Sequence, residues 1–183
     1  MGISEKKLLM NANNINTAIE QIANTILTDF PYSEIARVGF IGIQIKGVPL
    51  AKRIISMIES KTGHKSPLGM IDISMYRDDI GTHRKIEKLN ETLIPFDIED
   101  KVVILTDDVI HTGRTIRAAL DAITDFGRPK LIKLAVLIDR GGREYPIRPD
   151  YTAHEIKMSN NSKIFVEWTE ESGKEDSAYL LEG

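Results

Sequence analysis

The chain contains no cysteine. That excludes a disulfide framework, a thiolate metal site and a cysteine nucleophile. No apolar run is long enough to cross a membrane as a helix, and the first residues lack the apolar core of a secretory signal, so a cytoplasmic protein is expected. There is no internal repeat and no low-complexity segment. Neither sign of charge dominates: 24 Lys and Arg against 27 Asp and Glu leave a net charge of −3. No two of the four histidines have metal-ligand spacing, and His64 and His154 read as surface residues. The Walker A spacing G-x-x-x-x-G-K-[ST] is also missing. What remains is the composition of one folded domain, residues 1–183, with a sizeable core.

The segment most charged with chemistry is Val102-Val103-Ile104-Leu105-Thr106-Asp107-Asp108-Val109-Ile110-His111-Thr112-Gly113-Arg114-Thr115. Residues 101–106 are short, apolar and β-branched, and read as a buried strand. From Thr115, residues Ile116, Ala119, Leu120, Ile123 and Phe126 recur at helical spacing, and Gly127 and Pro129 stop the helix. Residues 109–114 are therefore predicted to be a loop between a strand's C-terminal end and a helix N-terminus, where unpaired N–H groups and the helix dipole stabilise an anion. Gly113 lets a phosphate approach the backbone. Thr112 and Thr115 add hydroxyl donors. Asp107 and Asp108 would repel a phosphate but suit vicinal hydroxyls, which donate to carboxylate oxygens. The pattern fits a phosphorylated ribose.

The remaining periodicity predicts an α/β fold. Ile15, Ile19, Ile22, Ala23, Ile26, Leu27 and Phe30 make one face of a first helix ended by Pro31. Strands are predicted at 38–45, 68–76, 101–106 and 131–138, a helix at 48–61, and short strands at 164–168 and 178–181. Strands alternating with helices imply a mainly parallel sheet, with ligands at the strands' C-terminal ends. The turn Gln44-Ile45-Lys46-Gly47 and Arg77 lie at two more such ends.

These residues resemble the phosphoribosyl pyrophosphate (PRPP) motif of type I phosphoribosyltransferases. Three further segments, Met75-Tyr76-Arg77-Asp78-Asp79, Thr124-Asp125-Phe126-Gly127-Arg128-Pro129 and the stretch from Leu134 through Asp139-Arg140-Gly141-Gly142-Arg143 to Tyr151, are similar to the PyrR family of pyrimidine attenuation regulators and uracil phosphoribosyltransferases. The resemblance runs from about residue 11 to 151 and fades beyond. It implies a central sheet with a small hood and a flexible loop, and the reaction uracil plus PRPP giving UMP plus pyrophosphate, with Mg²⁺ accompanying PRPP. It places Val109, Ile110, His111, Thr112, Gly113, Arg114 and Thr115 on the phosphate, Ile45, Lys46, Gly47 and Arg77 on pyrophosphate, and Ile138, Asp139 and Arg140 on the base. Asp107, Asp108, Arg77 and His111 are the catalytic candidates, and Asp107 and Asp108 the possible protein contacts to the metal. Residues 78–93, with His83, Arg84, Lys85 and Lys88, read as a flap. A homodimer or higher homo-oligomer is the family expectation.

The chain also departs from that family. Ile45-Lys46 stands where relatives usually have Thr-Arg, keeping the charge but losing the bidentate fork. His111 replaces a usual Tyr; two roles are open, acceptor of the proton leaving uracil or a side chain in a loop that works through its backbone. RNA binding needs basic groups against phosphates, yet residues 11–30 contain no Lys or Arg. Gly142 stands where His is frequent, and the tail carries Glu167, Glu170, Glu171, Glu175 and Asp176. Arg140, Arg143 and Arg148 remain as a basic group for RNA, substrate or a dimer partner. Attenuator RNA is thus a disfavoured partner. Besides the uracil enzyme, two readings stay open: an RNA-binding regulator sensing UMP or PRPP with little catalysis, and a transferase for another base.

Overall fold

The computed structural model describes residues 6–76, 90–158 and 162–182. Chain order is β1 (Lys6–Met10), α1 (Ala12–Asp29), β2 (Val38–Ile43), α2 (Gly47–Thr62), β3 (Leu68–Ile71), β4 (Val102–Ile110), α3 (Arg114–Thr124), β5 (Leu131–Asp139), β6 (Tyr151–Glu155), β7 (Lys163–Glu167), α4 (Thr169–Ser172) and β8 (Ser177–Leu181). The main sheet has the order β3-β2-β4-β5-β6, and every neighbouring pair in it is parallel. A separate antiparallel sheet, β1-β8-β7, forms the hood.

Alternation along β2 and β4 sets the layers. Phe40 and Ile104 face a core with Ile15, Ile22 and Ile26 of α1, Leu50 and Ile54 of α2, and Val166 and Trp168 of the hood. Ile41, Ile43, Val103 and Leu105 face the other way, onto Ile116, Ala119 and Ile123 of α3. The period of two along each strand thus sorts the two cores. Helix α1 begins on a reciprocal box, in which the Asn14 N–H donates to the Asn11 side chain at 2.9 Å and the Asn11 N–H to that of Asn14 at 3.2 Å.

Several predicted bounds shift. Strand β2 stops at Ile43, so residues 44–46 are a turn, and the Gln44–Ile45 peptide bond is cis. The strand predicted at 68–76 ends at Ile71, and Ser74–Tyr76 is a 3₁₀ turn. The Asp72 carboxylate causes this by accepting from the Ser74 N–H at 2.7 Å, a side-chain turn that competes with the ladder. Strand β4 runs on to Ile110 because Asp107, Val109 and Ile110 still pair with Val136, Ile138 and Asp139 of β5. Phe126, expected inside, lies past the end of α3 and is 47% exposed. Strands β1 and β6 and helix α4 carry too few periodic positions to have been predicted. The expected hood and parallel sheet are present.

Candidate active site

Three loops meet at the C-terminal ends of β2, β3 and β4 around a cleft of about 640 Å³. Its lining includes Gln44, Ile45, Lys46, Asp72, Asp107, Asp108, Val109 and Thr115. Sequence reasoning had placed Asp107, Asp108, Lys46 and Thr115 in one site, and the fold brings them together. Arg77 and most of the expected flap, 77–89, lie outside the described residues. The returning segment is pinned to the cleft by a hydrogen bond of 2.6 Å from the Asn90 N–H to Asp72 and one of 2.8 Å from the Gln44 amide to the Glu91 carbonyl.

The loop expected to take phosphate is shorter than predicted. Val109 and Ile110 belong to β4, leaving His111, Thr112 and Gly113 as the turn before α3. Gly113 caps α3 with φ of 90°, a left-handed conformation that a side chain would strain. The first-turn N–H groups of α3 open onto this turn, as at any helix start. Arg114 turns away from the turn to meet Glu144 at 2.7 Å. Gly47 shows the second close approach. A Cβ there would lie 2.1 Å from the Thr106 carbonyl oxygen, while the Thr106 hydroxyl donates to the Gly47 carbonyl at 2.8 Å. The turn 44–47 is thereby seated directly on β4, beside the two acids.

The acids differ in setting. Asp107 is buried, and the Asp108 N–H donates to its carboxylate at 3.0 Å. Asp108 is part-buried and accepts from the Val109 N–H at 2.8 Å. Burial pushes its carboxyl up to about 6, although the Lys46 charge and nearby N–H groups pull the other way. A cation, or hydroxyls donating to the carboxylate, would relieve that burden. Among the described residues no group of three His, Cys, Asp or Glu is placed to hold a metal alone. The donors on the rim are hard carboxylate oxygens, which fit Mg²⁺ sharing most of its shell with a polyphosphate.

Lys46 is not free at the cleft. Its ammonium donates to the Val166 carbonyl and pairs with Glu171 at 3.2 Å. The indole N–H of Trp168 donates to the Lys46 carbonyl at 3.1 Å. The hood therefore grips both ends of this residue, a link that no local pattern announces.

The residue that sequence reasoning misjudged is Arg143. Counted there as a basic group for RNA, substrate or a partner subunit, it instead joins two loops. Its guanidinium donates to Asp139 at 2.6 Å, to the Ile147 carbonyl at 2.7 Å, and to the His111 carbonyl at 2.8 Å. The expected phosphate loop and the expected base loop are thus tied together. Asp139 also accepts from the Gly141 N–H at 2.8 Å, so its carboxylate organises its own loop. Ile138 is buried, and Arg140 is largely so. The His111 ring packs on Gly142, where a Cβ would come within 2.8 Å of Nε2. Burial first, then Arg140 and Arg143, lower its basicity against the opposing pull of Glu144, so the imidazole is neutral near pH 7.

A family model described as a phosphoribosyl transferase domain matches residues 8–170. The chain is 43% identical to the Bifunctional protein PyrR of Roseiflexus sp. (strain RS-1) over 176 residues, 96% of this chain and 95% of that protein. It is 43% identical to the Bifunctional protein PyrR of Thermus aquaticus, covering 97% and 96% of the two. Among solved structures, a hypoxanthine-guanine phosphoribosyltransferase from Bacillus anthracis superposes with a TM-score of 0.72 at 20% identity, covering 99% of each chain. The hypoxanthine phosphoribosyl transferase of Trypanosoma cruzi does so at 0.72 and 17%, covering 99% of this chain and 93% of that one. At such identity the two structures speak for the fold alone.

Proposed function

Since the chain belongs to the phosphoribosyl transferase family and, at more than 40% identity over nearly its whole length, to its PyrR branch, we propose that the cleft above β2 and β4 transfers phosphoribose from PRPP to uracil. The observation that carries this reading is the meeting of Asp107 and Asp108 with Thr115, in the first turn of α3, and with Gln44, Ile45 and Lys46 in one cleft, the 111–113 turn leading directly into that helix start. In that arrangement the 5′-phosphate lies on the His111-Thr112-Gly113 turn with the Thr115 hydroxyl, against the start of α3. Asp107 and Asp108 take the ribose hydroxyls and stabilise the positive charge that develops on the sugar as its bond to pyrophosphate breaks. The turn Ile45-Lys46-Gly47 receives pyrophosphate through its backbone and the Lys46 charge. Arg77 is expected to join it.

The base lies by Ile138, Asp139 and Arg140, on the loop that Arg143 ties to the phosphate turn. That tie fixes the distance between base and sugar, which is how much of such a reaction is accelerated. As the new carbon–nitrogen bond forms, uracil loses its N–H proton, and the neutral imidazole of His111 is the candidate acceptor. Asp107 and Asp108 are the carboxylates that would share a Mg²⁺ ion accompanying PRPP, and its charge would offset that of the diphosphate. No helix of the described residues is long and apolar enough to cross a membrane. The outward face of α1 presents Asn16, Thr17, Glu20, Gln21, Asn24, Thr28 and Asp29, with no Lys or Arg. Arg143 is consumed internally. Both facts argue against tight RNA binding, which draws on phosphate-facing Lys and Arg. A homodimer is the assembly in keeping with the family.

The deciding measurement is pyrophosphate release from PRPP and Mg²⁺ with a panel of free bases. Release with uracil alone supports the reading; release only with a purine moves the assignment to another base; no release with any base sinks the enzyme and favours a nucleotide-sensing regulator. A gel-shift titration with the native leader RNA should find no submicromolar, salt-sensitive binding.

A further inference from the structure

We propose that Glu171 of the hood is a positioning residue that occupies the Lys46 ammonium in the empty site and exchanges it for pyrophosphate when the diphosphate binds. The inference rests on the reading of 45–47 as the pyrophosphate turn. It concerns a residue outside the 8–170 stretch that the family model matches.

The geometry is specific. Lys46 stands between two acids: Glu171 at 3.2 Å on the hood side, and Asp108 on the cleft side, whose carboxyl the Lys46 charge pulls down. It lines both the cleft and the hollow under the hood bounded by Lys6, Phe165 and Tyr179. Glu171 is not placed there by chance of a loose tail. Helix α4 is bolted to α2: Arg53 donates to Glu170 at 2.7 Å and to Asp176 at 2.8 Å, and its guanidinium stacks 4.6 Å from the Trp168 ring. The Thr169 N–H donates to Asp176 at 2.8 Å. Trp168 is fully buried, with its indole N–H on the Lys46 carbonyl. The dock fixes the backbone of residue 46 and leaves its long side chain as the part that can move.

The physics sets the sign. An ammonium shared with a carboxylate offers less charge to an incoming diphosphate, and the carboxylate itself repels that ligand. Removing the Glu171 charge therefore strengthens pyrophosphate binding. The Lys46–Glu171 pair is partly exposed, at 36% and 29% for the two side chains. Pairs of that kind sustain roughly two- to five-fold effects.

The test is calorimetric titration of magnesium pyrophosphate into wild type, Glu171→Gln, Glu171→Asp, Lys46→Met and the Lys46→Met/Glu171→Gln double variant. Emission of Trp168, the chain's one tryptophan, provides a second readout. Glu171→Gln should tighten pyrophosphate by about two- to five-fold and lower the KM for PRPP by a similar factor, with kcat unchanged or reduced. Glu171→Asp, which keeps the charge but draws it back, should fall between. In the Lys46→Met background the Gln substitution should do nothing. Unchanged or weaker binding in Glu171→Gln overturns the proposal. So does a gain that survives loss of Lys46, since that would be simple field repulsion. If wild type binds no pyrophosphate, the pyrophosphate reading itself fails, a result distinct from the others.

Discussion

Replacing Asp108 with Asn should stabilise the protein while disabling it. The carboxyl of Asp108 is pushed by burial from an ordinary value near 3.8 up to about 6. A carboxylate whose folded value is raised is penalised in the folded state once ionised. The folded chain then binds more protons than the unfolded one between about pH 4 and 6, so stability falls as pH rises through that window. A rise of this size corresponds to about 3 kcal/mol at full ionisation. Asp108 is only part-buried, so water on its open side reduces the figure, and about 1–3 kcal/mol is the expected range. Asn has nearly the same shape and no charge. Lys46 keeps Glu171 and the Val166 carbonyl as partners after the change.

The assay is thermal unfolding of both proteins in magnesium-free buffer from pH 4 to 8. Near pH 4 the two should nearly coincide. The gap should open across pH 4–6 and stay constant above about pH 7, with Asp108→Asn more stable. For a chain of this length, 1 kcal/mol moves the Tm by roughly 2–4 °C. Turnover should drop by about 10²-fold, the usual cost of removing one group that stabilises developing charge. A variant less stable than wild type at pH 7.5, or a gap that does not vary with pH, would refute the reasoning. In the first case Asp108 would be a net structural asset, and in the second its burial would not be what raises the carboxyl.

Three further changes probe other parts of the site. Gly47→Ala puts a Cβ 2.1 Å from the Thr106 carbonyl oxygen and should destabilise by about 3 kcal/mol or more, read as a lowered urea midpoint; wild-type stability would mean the 44–47 turn can lift off β4. Arg143→Lys keeps the charge but cannot span Asp139, Ile147 and His111 together, so kcat should fall about ten-fold with a loss of about 1–3 kcal/mol in stability; unaltered kinetics would show that the two loops hold their spacing without it. His111→Phe should change the acidic limb of the pH–rate profile, leaving the part set by ionisation of Asp108, because the wild-type imidazole becomes protonated and useless as an acceptor below its lowered value; an unchanged profile ends that role.

The parts of the site that were legible in the sequence are those where local pattern and function coincide. An apolar β-branched run, two acids, a Gly between threonines and a helical period all lie within 25 residues of one another, 102–126, and each is read without knowing the rest of the chain. The bounds were less secure. Whether residues 107–110 are strand or loop depends on pairing with β5, 29 residues further on in the register Asp107–Val136. Strand 68–76 was cut short by one carboxylate, Asp72, whose polar reach outweighed a favourable alternation. The hood was only half visible: strands were predicted at 164–168 and 178–181, close to the observed Lys163–Glu167 and Ser177–Leu181, but their antiparallel pairing and the return of β1 to their edge are long-range events.

Charge is where the sequence misleads most, and the reason is physical. A list of arginines counts donors but not their allocation. Arg143 and Lys46 both looked available to an anion. In the fold, Arg143 spends its hydrogen bonds on Asp139, Ile147 and His111, and Arg53 spends its own on Glu170 and Asp176. Lys46, which donates to the Val166 carbonyl and pairs with Glu171, has one charged partner that a stronger anion could displace. The distinction follows from geometry: a planar guanidinium committed to several fixed acceptors must lose all of them at once, whereas an ammonium on a flexible stem can leave one carboxylate for a better one. By this criterion the tail's acids serve the proposed cleft: Glu170 and Asp176 hold α4 against α2 so that Glu171 stands beside Lys46 in the proposed pyrophosphate turn, and together they lower the positive field that RNA would need on this side of the molecule.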